Sequence, residues 1–298
     1  MRSKHQSLLR FWFSCFITEK IGNPLNDGIW TYEWAVGRQL KKMSREGQSL
    51  TFKYDHNGMR IQKVLEHSWY PETTNYTYHG KLLTHMEVNY TDFDEVSHVD
   101  KLHFFYDAQS RPAKVRFNGT IYAYVHNLKG DIVGILDSTG NLVVEYKYDA
   151  WGKPLSTTGS LAGTLGVRNP FRYRGYVYDE ESGLYYLKSR FYNSCRQIFL
   201  NADAVFGEVG GLLSHGLYAY CYASPVMYSD PDGLFGNGSV YHWVCEDIVA
   251  RSGNTIMNTK HTKVLFALGG YGLIDLFDEK TLEMWEVKRV SVSPASAL

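Results

Sequence analysis

Near the C-terminus, Glu286 and Lys288 stand two residues apart, with Asp275 upstream of them. On a strand, side chains at i and i+2 share a face, so this spacing projects Glu286 and Lys288 together. A hairpin would bring Asp275 alongside on the neighbouring strand. Two carboxylates plus the Val287 carbonyl make an oxygen-rich set suited to a hard ion such as Mg²⁺. Such an ion polarises a phosphate and lowers the pKa of a bound water. Lys288 can steer that water or offset charge gathering on the phosphate. Glu-x-Lys alone is equally a salt pair across one strand face, and Asp278-Glu-Lys280 reads as a solvated turn. His242 and Cys245 are three apart on an expected helix, but no further ligand lies near, so packing explains them better than metal. No Walker-type loop, Ser-His-Asp ordering or nucleotide fingerprint stands out.

The elements that must position this set can be read from the pattern. Phe235-Gly-Asn-Gly-Ser239 is a flexible linker. From Tyr241 to Arg251 apolar Val244, Ile248 and Val249 oppose polar Glu246, Asp247 and Arg251, which predicts a helix ended by Gly253-Asn254. Strands follow over 263–268 and 272–277, then a turn over 278–281 and a return strand over 282–290. This order, closing on Glu286-Val287-Lys288, resembles the PD-(D/E)xK restriction-endonuclease-like superfamily. The resemblance implies a small α/β nuclease tail acting on DNA or RNA. In it Asp275, Glu286, Val287 and the helical Glu246 would serve the metal, and Lys288 would be catalytic. That fold usually adds a further helix and strand, whereas only Ser291 to Leu298 remain, so the tail is expected to be incomplete.

The 298 residues carry 31 basic and 31 acidic side chains, which excludes a polybasic binder of bulk nucleic acid but not an enzyme with a local site. No apolar run reaches the ~18 residues of a membrane-spanning helix. The cysteines, Cys15, Cys195, Cys221 and Cys245, show no CxxC pairing, which argues against a zinc ribbon or disulfide framework. The segment over 1–27 is expected to be irregular. Its Phe11-Trp-Phe-Ser-Cys-Phe-Ile17 run is short and aromatic, and reads as part of a longer gene rather than as a signal peptide.

The composition holds 23 Tyr and 27 Gly against 8 Pro, a bias toward short strands joined by tight turns. Tyr-Asp pairs recur at Tyr54-Asp55, Tyr106-Asp107, Tyr148-Asp149 and Tyr178-Asp179, and Gly58, Gly152 and Gly183 follow three of them. Around them apolar residues alternate: Phe52 with Tyr54, Tyr122 with Tyr124, Val144 with Tyr146 and Tyr148. The unit is strand, turn, strand, and such units must stack or wrap to bury a face.

The segments Tyr54-Asp-His-Asn-Gly58, Tyr124-Val-His-Asn-Leu-Lys-Gly130-Asp131 and Glu145-Tyr-Lys-Tyr-Asp-Ala-Trp-Gly152 resemble YD repeats of the RHS family. Pro170-Phe-Arg-Tyr-Arg-Gly175 through Arg190-Phe-Tyr192 is similar to the opening of the RHS-associated core, and Asp230-Pro-Asp-Gly-Leu234 to its end. The resemblance spans about 28–234. It implies a mainly β fold, an antiparallel YD-repeat strip over 28–169 forming part of a spiral shell. The core over 170–234 would seal one end, and a variable toxin segment over 235–298 would follow.

In toxin-complex members of the family the core is a self-cleaving aspartyl protease. Carried over by motif order, Arg190, Asp203 and Asp230 would form its catalytic set, with the cut after Leu234. This chain departs from the usual pattern at Cys195-Arg-Gln-Ile-Phe199 and at Asp203-Ala204. Two carboxyls held together share a proton, so one can activate water while the other protonates the carbonyl or the leaving amide. The implied protein is a secreted or cell-surface bacterial toxin. Its partners would be nucleic acid, a cognate immunity protein and the remainder of the shell. The alternative is a structural or adhesive YD-repeat protein with a degraded tail.

Overall fold

The computed structural model describes residues 17–19, 21–35, 38–67, 70–203 and 216–234, together with the backbone of 272–278 and 283–290. The chain divides into two compact units, Met1–Ser239 and Val240–Leu298. The expected linker over 235–239, the helix with Glu246 and the strand over 263–268 lie outside the described residues, as do Cys15 and Cys245.

The first unit is built on one 14-stranded antiparallel sheet in which every strand pairs with its neighbours in sequence. It begins with β1 (Ile17–Thr18), β2 (Pro24–Asn26), β3 (Thr31–Trp34), β4 (Leu40–Arg45) and β5 (Gln48–Tyr54). It continues through β6 (Arg60–His67), β7 (Glu72–His79), β8 (Leu82–Thr91), β9 (Ser97–Tyr106) and β10 (Pro112–Phe117). It ends with β11 (Thr120–His126), β12 (Ile132–Leu136), β13 (Leu142–Tyr148) and β14 (Pro154–Thr158). The mainly β expectation holds. Within the described part of the expected irregular start, β1 and β2 already belong to the sheet: Ile17 faces Asn26, and Asn26 faces Thr31.

The Tyr-Asp pairs divide the labour of each turn. The Asp55 carboxylate accepts the amides of Asn57 and Met59, both at 2.9 Å. The Asp55 N–H donates to the Met59 carbonyl at 2.9 Å, and Gly58 sits at a φ of 78°. A positive φ there costs glycine nothing and other residues something. The same bonds form at Asp107 and Asp149. The tyrosine ahead of the aspartate reaches back to an earlier strand. The Tyr54, Tyr106 and Tyr148 hydroxyls donate to the Leu40, Leu83 and Ile132 carbonyls at 2.8, 2.6 and 2.9 Å. The pairing register shifts at Lys53/Tyr54 and at Lys147/Tyr148. A bulge there bends the strand and increases the local twist.

Beyond the sheet, Leu165–Arg168 forms one helical turn. Four short strands follow: β15 (Val177–Asp179), β16 (Leu184–Tyr186), β17 (Phe191–Asn193) and β18 (Ile198–Phe199). Side chains in and around these strands pack against two regions of the strip. Leu184, Tyr186, Phe191 and Leu200 pack with Leu40, Met43, Leu50 and Phe52, while Phe171 packs with Leu102, Phe104 and Tyr124. A third cluster is almost wholly aromatic, with Tyr173, Tyr176, Tyr185, Tyr192, Phe199 and Tyr220. Into it docks the turn after Asp149. The Tyr173, Tyr185 and Tyr192 hydroxyls donate to the carbonyls of Ala150, Gly152 and Trp151.

The fourth Tyr-Asp pair is not a repeat turn. The Asp179 carboxylate leaves its own loop and binds Arg60 and Lys63 of β6. Arg60 is fully buried and stacks on Tyr76 and Tyr186, at 4.8 and 4.5 Å from the ring centroids.

The second unit contributes a described hairpin, β19 (Gly272–Asp278) with β20 (Glu283–Val290). These are the expected strand and return strand, while residues 279–282, which hold most of the expected turn, lie outside the described residues. Ile274 faces Lys288 and Leu276 faces Trp285, with an irregularity between them. Among the described residues no helix is long and apolar enough to cross a membrane.

Candidate functional site

Three segments of the first unit converge on one guanidinium. Arg190 immediately precedes β17, Asp203 follows β18, and Asp230 lies on the strap that ends at Leu234. Arg190 Nη1 is 3.0 Å from Asp203 Oδ2, and Nη2 is 3.4 Å from Asp230 Oδ2. All three residues are buried, at 4, 7 and 0% exposure, so water screens these charges little.

The sequence placed Arg190, Asp203 and Asp230 in one set by motif order, and the fold brings all three together. The guanidinium carbon lies 3.6 Å from the centroid of the Phe199 ring, which fixes the arginine plane from the other side. Burial pushes the Arg190 pKa below its ordinary value, against the pull of Asp203 and Asp230. It nevertheless remains charged across the working range of a protein.

The strap is held from both ends. The Asp230 N–H donates to the Tyr176 hydroxyl at 2.8 Å, and that hydroxyl pairs with Tyr220 at 3.2 Å. Burial above all, with Cys221 and Asp230 nearby, holds the Tyr176 phenol well above its ordinary pKa, so it stays protonated. Asp230 Oδ1 accepts the Leu234 N–H at 3.0 Å, so this carboxylate touches both the arginine and the last residue of the strap. Arg190 Nε donates to the Gly233 carbonyl. Gly233 sits at a φ of 70°, and a Cβ there would meet Ser189 Oγ at 2.7 Å and the Leu187 carbonyl at 2.8 Å. Leu234 is half exposed at the end of this path.

The Cys221 thiol lies in the electrostatic reach of Asp230 and Arg190. Cys221 is buried, and burial pushes it up to about 12. Cys195 is an exposed free thiol. Carboxyl groups held on one cation beside a backbone amide are a residue set able to carry acid–base chemistry.

In the second unit, Asp275 lies opposite the Glu286–Val287 step of β20, and Lys288 pairs with Ile274. One residue therefore faces two at this bulge, and strict two-residue alternation does not run through it. Asp275 and the Glu286–Val287 step are therefore neighbours on adjacent strands. Glu246 lies outside the described residues.

The sequence matches the Teneurin YD-shell family over residues 28–210. The chain belongs to this family. The YD-shell chain is 39% identical over 229 residues to a tRNA nuclease WapA of Bacillus subtilis, a match covering 76% of this chain and 9% of that protein. A tRNA3(Ser)-specific nuclease WapA of Bacillus spizizenii is 38% identical over the same length, with the same shares covered. The chain thus spans about a tenth of the length of these relatives. A Tc holotoxin pore structure from Photorhabdus luminescens superposes with a TM-score of 0.59 at 20% identity, covering 71% of this chain and 10% of that one. That likeness establishes the fold. The RHS/YD-repeat identity read from the motifs is thereby borne out.

Several residues that shape the site were not anticipated from sequence: Tyr176, Ser189, Phe199, Tyr220 and Asp232. Tyr176 and Phe199 stand inside motifs that were recognised. Their contacts join residues far apart in the chain, and no local pattern announces such contacts.

Proposed function

We propose that this YD-shell chain is the distal part of an RHS-type bacterial toxin. In this reading its buried Arg190–Asp203–Asp230 cluster cuts the chain after Leu234 and frees a nuclease tail. The observation that carries it is the position of Asp230, which touches Arg190 with one oxygen and the Leu234 amide with the other.

In the reaction a water adds to the Leu234 carbonyl carbon. One carboxylate of the pair takes a proton from that water. The pair then returns a proton to the Phe235 nitrogen as the C–N bond breaks. Arg190 keeps the carboxylates adjacent and orients them by charge-assisted bonds.

The tail's role rests on the names of the relatives and on the β19–β20 register. Mg²⁺ held by Asp275, Glu286, the Val287 carbonyl and Glu246 would polarise the phosphate and activate water. Lys288 would stabilise charge on the phosphate. Because similar shells belong to tRNA nucleases, tRNA is the first substrate to try. An immunity protein, export and action against rival cells complete the reading.

Purified chain is expected to cut tRNA with Mg²⁺, and to lose at least ~10²-fold of that rate with EDTA, Asp275→Ala or Glu286→Ala. If tRNA and plasmid DNA both stay whole in Mg²⁺, the nuclease reading fails. For the protease, intact mass is expected to show a break after Leu234. Gly233→Ala should slow that break about 10²-fold, because the added Cβ displaces the strap from Arg190. A parent-like rate in this variant would show that the position of the strap does not matter.

A further inference from the structure

The strap ending at Leu234 is tied down outside the Arg190 cluster as well. Lys81, in the turn between β7 and β8, lies 2.9 Å from Asp232 Oδ2, and Lys188 pairs with Asp232 Oδ1. The Ser189 N–H donates to the Asp232 carbonyl at 3.2 Å. The Ser189 hydroxyl stands 2.6 Å from that carbonyl and 2.7 Å from the Gly233 carbonyl. Lys188 holds a φ of 61°, a conformation a non-glycine residue adopts only where its surroundings demand it. Burial opposes ionisation of Asp232, but Lys188 and Lys81 outweigh it and hold the carboxyl below its ordinary pKa.

These contacts are poor candidates for general stability. Lys81 is 67% exposed and Lys188 and Asp232 about a third, and exposed ion pairs contribute little to folding. Their placement is local. Lys188 and Ser189 directly precede Arg190, so one short turn holds the strap and presents the arginine to both carboxylates. No strand pairing fixes the described strap, and small displacements in a reacting geometry are costly.

We propose that Lys81, Lys188 and Ser189 form a latch on Asp232 that sets the register of Leu234 against the Arg190 cluster, with Asp232 a positioning residue for cleavage. The proposal rests on the self-cleavage reading. It has one consequence for assembly. Lys81 belongs to the repeat strip and Lys188 to the core, so the latch closes only when the β7–β8 turn is in place beside the core. Cleavage then follows completion of this part of the shell.

The test uses the full 298-residue chain, with cleavage timed after refolding. Asp232→Asn is expected to slow the cut about tenfold and Lys81→Ala about fivefold, while Asp232→Glu restores most of the parent rate. The parent rate should fall as salt is raised, because the latch is partly exposed, and the Asp232→Asn rate should not. Asp232→Asn cutting at the parent rate with the parent's salt response would overturn the latch. A second measurement needs no self-cleavage. With Asp230→Asn in the background, added chymotrypsin should nick after Leu234 about tenfold faster once Asp232→Asn is introduced. An unchanged nicking rate overturns the latch. A parent chain that never cuts itself overturns the self-cleavage reading and the positioning role with it, while the nicking rate still reports whether the strap is tied.

Discussion

Asp230→Asn leaves the bond after Leu234 intact, with a loss of about 10²–10⁴ in the rate of self-cleavage. Asparagine keeps the size of the side chain and an oxygen able to accept the Leu234 N–H, so the strap stays seated. It cannot take up or return a proton at working pH, and it removes the second carboxylate from Arg190. Asp203→Asn is expected to do the same from the other side of the guanidinium. The double variant should be no worse than either single one, because groups acting as a unit are not additive. Timed intact-mass measurement of parent and variants decides the matter. Asp230→Asn cutting at the parent rate would remove this residue from the mechanism.

The second large effect lies away from the site. Arg60→Met is expected to destabilise the first unit by about 3–5 kcal/mol, read by denaturant unfolding. Asp179 is 1% exposed, and among the described residues its buried charge, without Arg60, keeps Lys63, which also serves Glu181. Arg60→Met with Asp179→Leu should recover most of the loss, because a buried pair replaced by apolar groups of similar volume is often tolerated.

The pH dependence follows with a definite sign. Burial opposes ionisation of Asp179, but Arg60 and Lys63 prevail and its pKa falls below the ordinary 3.8. The unfolded chain therefore binds more protons just below that value. The stabilisation is complete above about pH 4 and is lost as pH falls through the lowered native value. Acid unfolding should lose this component in the double variant. A double variant as weak as the single one would contradict the account of the pair.

The fold was legible in the sequence wherever one short segment does a complete job. Asp55 and Gly58 close their turn by themselves, and Tyr54 and Phe52 announce the strand that leads into it. The same turns without a Tyr-Asp signature were harder to see. Asp92 receives the amides of Asp94 and Val96 although Glu95, not glycine, takes the positive φ. Tyr178-Asp179 misled in the opposite direction, because the same two residue types serve a buried ion pair once Arg60 is folded against them. Motif order placed Arg190, Asp203 and Asp230 in one set. The ties of the strap to Ser189, Lys81 and Tyr176 arise only when separate parts of the chain meet.

The most direct measurement is self-cleavage carried out in heavy-oxygen water, with mass analysis of both products. Hydrolysis by the Arg190–Asp203–Asp230 cluster predicts an N-terminal product ending at Leu234 with one heavy oxygen in its new carboxyl. It also predicts a C-terminal product beginning at Phe235 with none. A break at Asp230-Pro231, an unlabelled Leu234 carboxyl, or a chain that stays whole while correctly folded would contradict it.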